Sequence, residues 1–445
     1  MNETNCRNII LIITMIVVNT SAVFDGQADF ILTLKNACRT DRTFIDLRQQ
    51  YNLTPKYNGL VHGCMPVRCP ADISRATFKR LLESDARIAC VEPDYRIDVV
   101  GIPDDPHFSK QWSLQNRLTP GADVRVVEAW GLHRGSKRII LAVIDTGIDY
   151  LHPDLAANIW RNPGEIPGNN RDDDGNGFID DIYGWSFAEG NADPIDRHYH
   201  GTHVAGIIGA VGNNGIGVAG IMHNASIMAV KALSDQGHGW SSGLIAAIYY
   251  AVDNGARVIN ASWGGGGRQQ AMVDALAYAE SRGVIFVAAC GNNRRDTDAE
   301  PFYPASYEGP NVVSVGATDT KDTLAWFSNW GVQNVDIFAP GVEIFSTVPG
   351  GEYAPETGTS MAAPIVTGAL GLLVSFAPSM DWREHINALY ASLQPLPQLQ
   401  GYCVTGGRLD VYRLLRRGVP RVRAMQAAIM YVSGMLDRKK ERNDK

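Results

Sequence analysis

Short β-branched runs alternate with amphipathic stretches over most of the chain beyond residue 137. Ile139 to Ile144, Ile227 to Val230, Arg257 to Asn260, Val284 to Ala289 and Val312 to Val315 are continuous apolar runs of strand length. Between them Leu244, Ile245, Ile248 and Val252 recur at helical spacing, with Ser242 placed to cap and Gly255 placed to stop the helix. Ala271 to Ser281, ended by Gly283, repeats the arrangement, and Ile365 to Phe376 is an apolar run suited to a buried helix that Pro378 would stop. Such alternation predicts an α/β fold with a mostly parallel central sheet covered on both faces, and function at the carboxyl ends of its strands.

The pattern differs before residue 100. Phe30 to Leu34 and Arg87 to Glu92 read as strands, and Thr43 to Tyr51 and Ser74 to Leu82 as helices, giving a small α+β unit. An extended piece, Ile97 to Val100, follows, and Pro103 to Pro106 with its two acids reads as a linker. At the start, Arg7 precedes the apolar run Ile9 to Val18, with small residues at Thr20 and Ala22, which reads as a secretory signal cut after Ala22. The domain boundaries expected are a signal peptide over 1–22, the small unit over 23–100, a large domain over 101–418 and a basic tail over 419–445. The tail's apolar stretch, Ala424 to Leu436, is too short to cross a bilayer and reads as a terminal helix or loose tail, with a membrane-surface helix as the alternative.

Composition narrows the function classes. The chain has 445 residues, 45% hydrophobic and 20% charged, enough for a large core. A net charge of -7 argues against nucleic acid as the main partner. Cys38, Cys64, Cys69 and Cys90 lie in the small unit, where an oxidising compartment would allow two disulfides in any of three pairings. Cys290 and Cys403 are isolated and read as free buried thiols. Asn52-Leu53-Thr54 and Asn224-Ala225-Ser226 are candidate glycan sites in a secreted chain.

Four polar residues stand where the pattern puts strand and helix ends. Asp145 directly follows the run Ile139 to Ile144, so it must be paired or hydrogen-bonded: a helix cap or the partner of a cation. His200 opens the small-residue stretch His200-Gly201-Thr202-His203-Val204-Ala205-Gly206; His203, one turn further in, reads as a packed structural histidine. Asn292 follows the run Val284 to Ala289, and Ser360 precedes the apolar helix, where free N–H groups and the helix dipole favour negative charge. Each has a plainer reading alone, as a cap, turn or core residue. Together they form a set for acyl transfer: Ser360 attacks a carbonyl, His200 takes its proton, Asp145 orients the ring and Asn292 helps hold the oxyanion.

The segments AVIDTGID around Asp145, HGTHVAG from His200, GN at Asn292 and GTSMAAP around Ser360 resemble the signatures of the subtilisin family of serine proteases. The resemblance runs from about Pro103 to Leu409. It implies a subtilisin-like three-layer fold, a secreted serine endopeptidase acting on proteins or peptides, and Ser262, Trp263 and Gly264 as the strand that pairs with the substrate backbone. It also implies that the unit over 23–100 is an inhibitory propeptide, a partner of its own enzyme, whose tail occupies the cleft until cut within Asp98 to Pro103. The insertion between Asp145 and His200 carries Asp172, Asp174, Asn176, the Phe178 carbonyl and Asp180, which fit the first nine positions of an EF-hand-type Ca2+ loop. Tyr183 stands where the bidentate acid belongs, with Asp181 as substitute; a second Ca2+ site implied by the resemblance uses Asp105, Asp154 and Asn214.

Overall fold

The computed structural model describes residues 30–35, 38, 40–55, 63–70, 73–93 and 102–419. The expected signal peptide, residues 98–101 of the expected cut and the tail from 420 lie outside them. The chain divides into two compact units, Met1–Val99 and Val100–Lys445.

In the first unit β1 (Phe30–Leu34), α1 (Asp41–Gln50), β2 (Thr54–Pro55), β3 (Cys64–Arg68), α2 (Arg75–Glu83) and β4 (Ile88–Pro93) form an antiparallel sheet of order β2-β3-β1-β4 with two helices. Thr40 and Ser74 cap the helices by accepting from the N–H groups of Thr43 and Thr77. Leu32, Leu34, Leu47, Met65, Val67, Phe78 and Leu82 are buried together. The two expected disulfides are absent among the described residues: Cys38, Cys64, Cys69 and Cys90 form none. For one pairing the register gives the reason. Cys64 and Cys90 both lie opposite Thr33, on the strands either side of β1, so two strand spacings of about 4.8 Å separate them, beyond disulfide reach.

The second unit opens with α3 (Val126–Trp130), β5 (Gly135–Asp145), β6 (Gly184–Ser186), α4 (His200–Gly209) and β7 (Asn224–Lys231). It continues with α5 (Ser241–Asp253), β8 (Ala256–Ala261), α6 (Gln270–Ser281), β9 (Ile285–Ala289), β10 (Val312–Thr318), β11 (Ile337–Pro340), β12 (Ile344–Val348) and β13 (Glu352–Glu356). It ends with α7 (Thr359–Phe376), α8 (Trp382–Tyr390), β14 (Gln394–Pro395), β15 (Gly407–Arg408) and a helix over 411–419. The sheet order is β14-β15-β11-β10-β9-β8-β5-β7-β6, parallel except for the β14–β15 pair, while β12 and β13 form a separate hairpin.

Alternate residues of a strand point to opposite faces, and both faces here are covered. Leu141 and Val143 pack with α4 and α7 residues such as Val204, Ile208, Ile365 and Leu370. Ala142 and Ile144 pack with α5 and α6 residues such as Leu244, Ile248 and Leu276. This three-layer α/β arrangement explains why the strands read as unbroken apolar runs. Ser242 does not cap α5: it lies inside the first turn, Trp240 is the flanking residue and no side chain caps the end. Cys290 and Cys403 are free and buried as expected, and burial pushes the Cys290 thiol up to about 12.

Candidate active site

The parallel strands deliver their carboxyl ends to one edge, and four segments converge there. Asp145 is the last residue of β5 and fully buried. Its Oδ1 accepts from the Thr146 N–H (2.8 Å) and from His200 Nδ1 (2.7 Å). His200 is the first residue of α4, and Gly201 explains how it gets so close. A Cβ on Gly201 would lie 2.0 Å from the Gly147 carbonyl oxygen, so only glycine lets the helix seat on the turn after β5. The Asp145 carboxylate can only accept, so the neutral imidazole carries its proton on Nδ1 and leaves Nε2 free to take another. Nε2 has no hydrogen-bond partner among the described residues. Burial pushes the His200 pKa down, but Asp145, Asp196 and Glu356 outweigh it, and the net direction is up. His203 is buried, its Nε2 bonds the Ala354 carbonyl (3.1 Å), and burial lowers it to about 4.

Ser360 is the second residue of α7, where backbone N–H groups have no partner within the helix. Its hydroxyl donates to the Ser262 carbonyl (3.0 Å), not to His200. The Ser262 hydroxyl in turn donates to the Ser360 carbonyl (2.8 Å). That carbonyl is available because its helical partner would be the N–H of residue 364, which is proline. Pro364 therefore ties the helix of Ser360 to the segment after β8. In that segment Trp263 Nε1 donates to the Ile144 carbonyl (2.8 Å), while Gly264 is exposed.

Asn292 is held by its oxygen. Oδ1 accepts from the Thr359 N–H (2.9 Å) and hydroxyl (2.8 Å), which turns the amide NH2 toward Gly358. A Cβ placed on Gly358 would lie 3.2 Å from Asn292 Nδ2 and 3.6 Å from the Ser360 nitrogen. Two N–H donors thus flank a space the size of one atom, a ready place for an oxyanion.

The acidic insertion is arranged differently from the expected loop. Glu165, Asp172 and Asp174 bring carboxylate oxygens within 4.8 Å of one another. Asn176 Nδ2 contacts Asp174 (3.3 Å) and Asp181 (3.1 Å), and the Phe178 ring packs on Trp185, Phe187 and Tyr250. Asp180 turns away: its oxygens accept from the N–H groups of Gly168, Asn169 and Asn170. Glu165 replaces it in the cluster, having no place in a nine-residue reading that begins at Asp172. Three converging carboxylates with no basic group among them form an all-oxygen donor set that fits a hard divalent cation. Asp105 and Asp154 are also buried and meet at the 213–217 loop. Asp105 accepts from the N–H groups of Asn213 (2.9 Å) and Asn214 (3.3 Å), and Asp154 from Asn214 Nδ2 (2.8 Å). Burial first, with their mutual repulsion added for Asp105, raises both carboxyls, a strain that a cation would relieve.

Sequence reasoning missed Asp196, Thr359, Glu165 and Glu356. Asp196 carried one signal, an acid four residues before the histidine in a stretch with no hydrophobic period.

A model of the subtilase family matches residues 136–402. The "Thermophilic serine proteinase" of Bacillus sp. (strain AK1) is 40% identical over 339 residues, covering 75% of this chain and 74% of that protein. The "Thermitase" of Thermoactinomyces vulgaris is 39% identical over 274 residues, covering 61% of this chain and 85% of that protein. A solved protease structure from Pseudoalteromonas arctica superposes with a TM-score of 0.58 at 28% identity, covering 72% of this chain and all of that one.

Proposed function

Because the chain belongs to the subtilase family and is a subtilisin-like serine endopeptidase, we propose that Asp145, His200 and Ser360 are its catalytic triad and Asn292 its oxyanion donor. The observation that carries the reading is the 2.7 Å contact of His200 Nδ1 with Asp145 at the strand edge where Ser360 opens its helix. Ser262, Trp263 and Gly264 receive the peptide as an added strand. A substrate N–H that takes the Ser262 carbonyl displaces the Ser360 hydroxyl, which swings to His200 Nε2. Nε2 accepts the proton as Oγ bonds to the scissile carbonyl carbon, and Asp145 stabilises the imidazolium. The carbonyl electron pair moves to oxygen, which is held by Asn292 Nδ2 and the Ser360 N–H. The imidazolium then protonates the leaving amine, and water repeats the sequence to release the acyl group.

The finer reading is a secreted enzyme made as a zymogen. The first unit serves as an inhibitory propeptide removed by self-cleavage, and the boundaries over 1–22, 23–100, 101–418 and 419–445 follow from that. Ca2+ is the implied ion: Glu165, Asp172, Asp174 and Asn176 would hold one, and Asp105, Asp154 and Asn214 a second. Bound there it neutralises clustered carboxylates and stiffens two loops, with no part in bond making. A serine-directed phosphonate tests the reading: mass spectrometry should find the adduct on Ser360, and an enzyme that cleaves peptides after full treatment without an adduct would overturn it.

A further inference from the structure

We propose that Asp196 is a positioning residue for the reaction, clamping the backbone ahead of His200 so that the imidazole meets Asp145. The inference rests on His200 being the general base.

Asp196 is buried at 3% exposure, and its carboxylate takes five donors. Oδ1 accepts from the Thr146 hydroxyl (2.9 Å) and from the N–H groups of His198 (2.8 Å) and Tyr199 (3.2 Å). Oδ2 accepts from the Thr202 N–H (2.9 Å) and hydroxyl (2.7 Å). These donors belong to the two pieces that must be held in register. Thr146 adjoins Asp145, and its hydroxyl oxygen also accepts from the Gly201 N–H (3.0 Å). Thr202 lies two residues past His200, and its hydroxyl oxygen accepts from the Asp149 N–H (2.9 Å). One carboxylate therefore fastens the end of β5 to the first turn of α4, on both sides of His200.

The backbone there needs fastening. Tyr199 has φ 145° and ψ -30°, a conformation costly for any residue but glycine. It is held between Asp196, which takes its N–H, and α4, whose His203 N–H takes its carbonyl (3.0 Å). Such strain persists only where the surroundings over-determine it. Release would rotate the peptide that leads into His200 and draw Nδ1 from Asp145. The charged and titratable groups facing His200 are Asp145 on β5, Asp196 and Tyr199 on the preceding loop, His203 on its own helix and Glu356 on β13. Asp196 therefore also contributes negative charge that favours the imidazolium.

Asp196→Asn is the test, because no amide orientation suits the site: whichever way it flips, its NH2 meets N–H donors. For the full chain, matured with added wild-type enzyme where needed, we expect kcat to fall about 10- to 100-fold, within the loss a misplacement of about 1 Å can bring. KM should stay within about twofold, and the acid limb of the kcat profile should move to lower pH. Tyr199→Gly supplies the second readout. Glycine takes φ 145° without strain, so adding Y199G to D196N should recover part of the lost kcat. A limb that stays in place, or losses that simply add in the double variant, would overturn the proposal; the double variant also provides the measurement if D196N alone does not fold. His200→Ala separates the two readings: an active H200A sinks the general base itself, whereas an inactive H200A beside an unperturbed D196N sinks only the clamp.

Discussion

Gly358→Ala tests the oxyanion pocket without replacing a proposed catalytic side chain. Gly358 sits at φ 166° and ψ 165°, extended backbone that alanine adopts freely. The added methyl lies 3.2 Å from Asn292 Nδ2 and 3.6 Å from the Ser360 nitrogen. An oxyanion must lie about 2.7 to 3.1 Å from its donors, so methyl and oxyanion claim the same space. Loss of one preorganised donor typically costs about 100- to 1000-fold in kcat, roughly 2.7 to 4 kcal/mol, which is the expectation for Asn292→Ala. G358A obstructs both donors at once, so its kcat should fall at least about 1000-fold. Stability should hardly change: mild overpacking costs about 1 kcal/mol, and the stiffer unfolded chain returns about 0.4 to 1 kcal/mol. The assay is steady-state cleavage of a chromogenic peptide, after maturation by added wild-type enzyme, beside a thermal melt. A folded G358A with kcat within about tenfold of wild type would refute the pocket's placement.

Three further outcomes are expected. As the proposed general base His200 must be neutral to act, and its pKa is raised, so the acid limb of kcat/KM should lie above about pH 6.5, the ordinary histidine value. By linkage the His200–Asp145 attraction stabilises the fold fully below the unfolded pKa and is lost as pH rises through the higher folded one. In Asp145→Asn the limb should move down and turnover fall by orders of magnitude; a limb that does not move would remove Asp145 from the pair. Chelation of the Ser360→Ala variant, which cannot digest itself, should lower Tm, and Asp172→Asn with Asp174→Asn should mimic it; an unchanged melt tells against the cation. Ser360→Ala should also stay at full length on a gel, and a normally cleaved chain would exclude self-processing by Ser360.

Much of the large unit was legible because burial on both faces leaves its mark on composition. Strands β5, β7, β8, β9 and β10 are apolar on successive residues, and their helices carry the 3.6-residue period. Several of the elements that escaped are short or interrupted, although α8 and β12 are neither. Strand β3 alternates correctly, with Met65 and Val67 inward, but Pro66 reads as a breaker. Strand β6 has only three residues, with a glycine first, and β11 only four, ending in proline. The Ser242 cap failed for another reason: a serine near a helix start satisfies the same pattern inside the first turn as before it.

The candidate site divides along a similar line. Asp145, Asn292 and Ser360 each stand where an apolar run meets a turn, and His200 opens a helix rich in small residues, so local pattern marks them. Asp196 and Glu165 stand in polar loops, and their roles exist only through partners distant in the chain. Asp196 bonds the Thr146 hydroxyl 50 residues away, and Glu165 meets Asp172 across a turn that no periodicity foretells. Local pattern thus finds the residues proposed to touch the reacting atoms but passes over those proposed to hold them in place, because a clamp is defined by what it joins. The same reasoning explains the Asp180 difference. A carboxylate in a nine-residue ligand loop and one that closes a turn over residues 168–170 look alike in sequence, and only the competing N–H donors decide which it becomes.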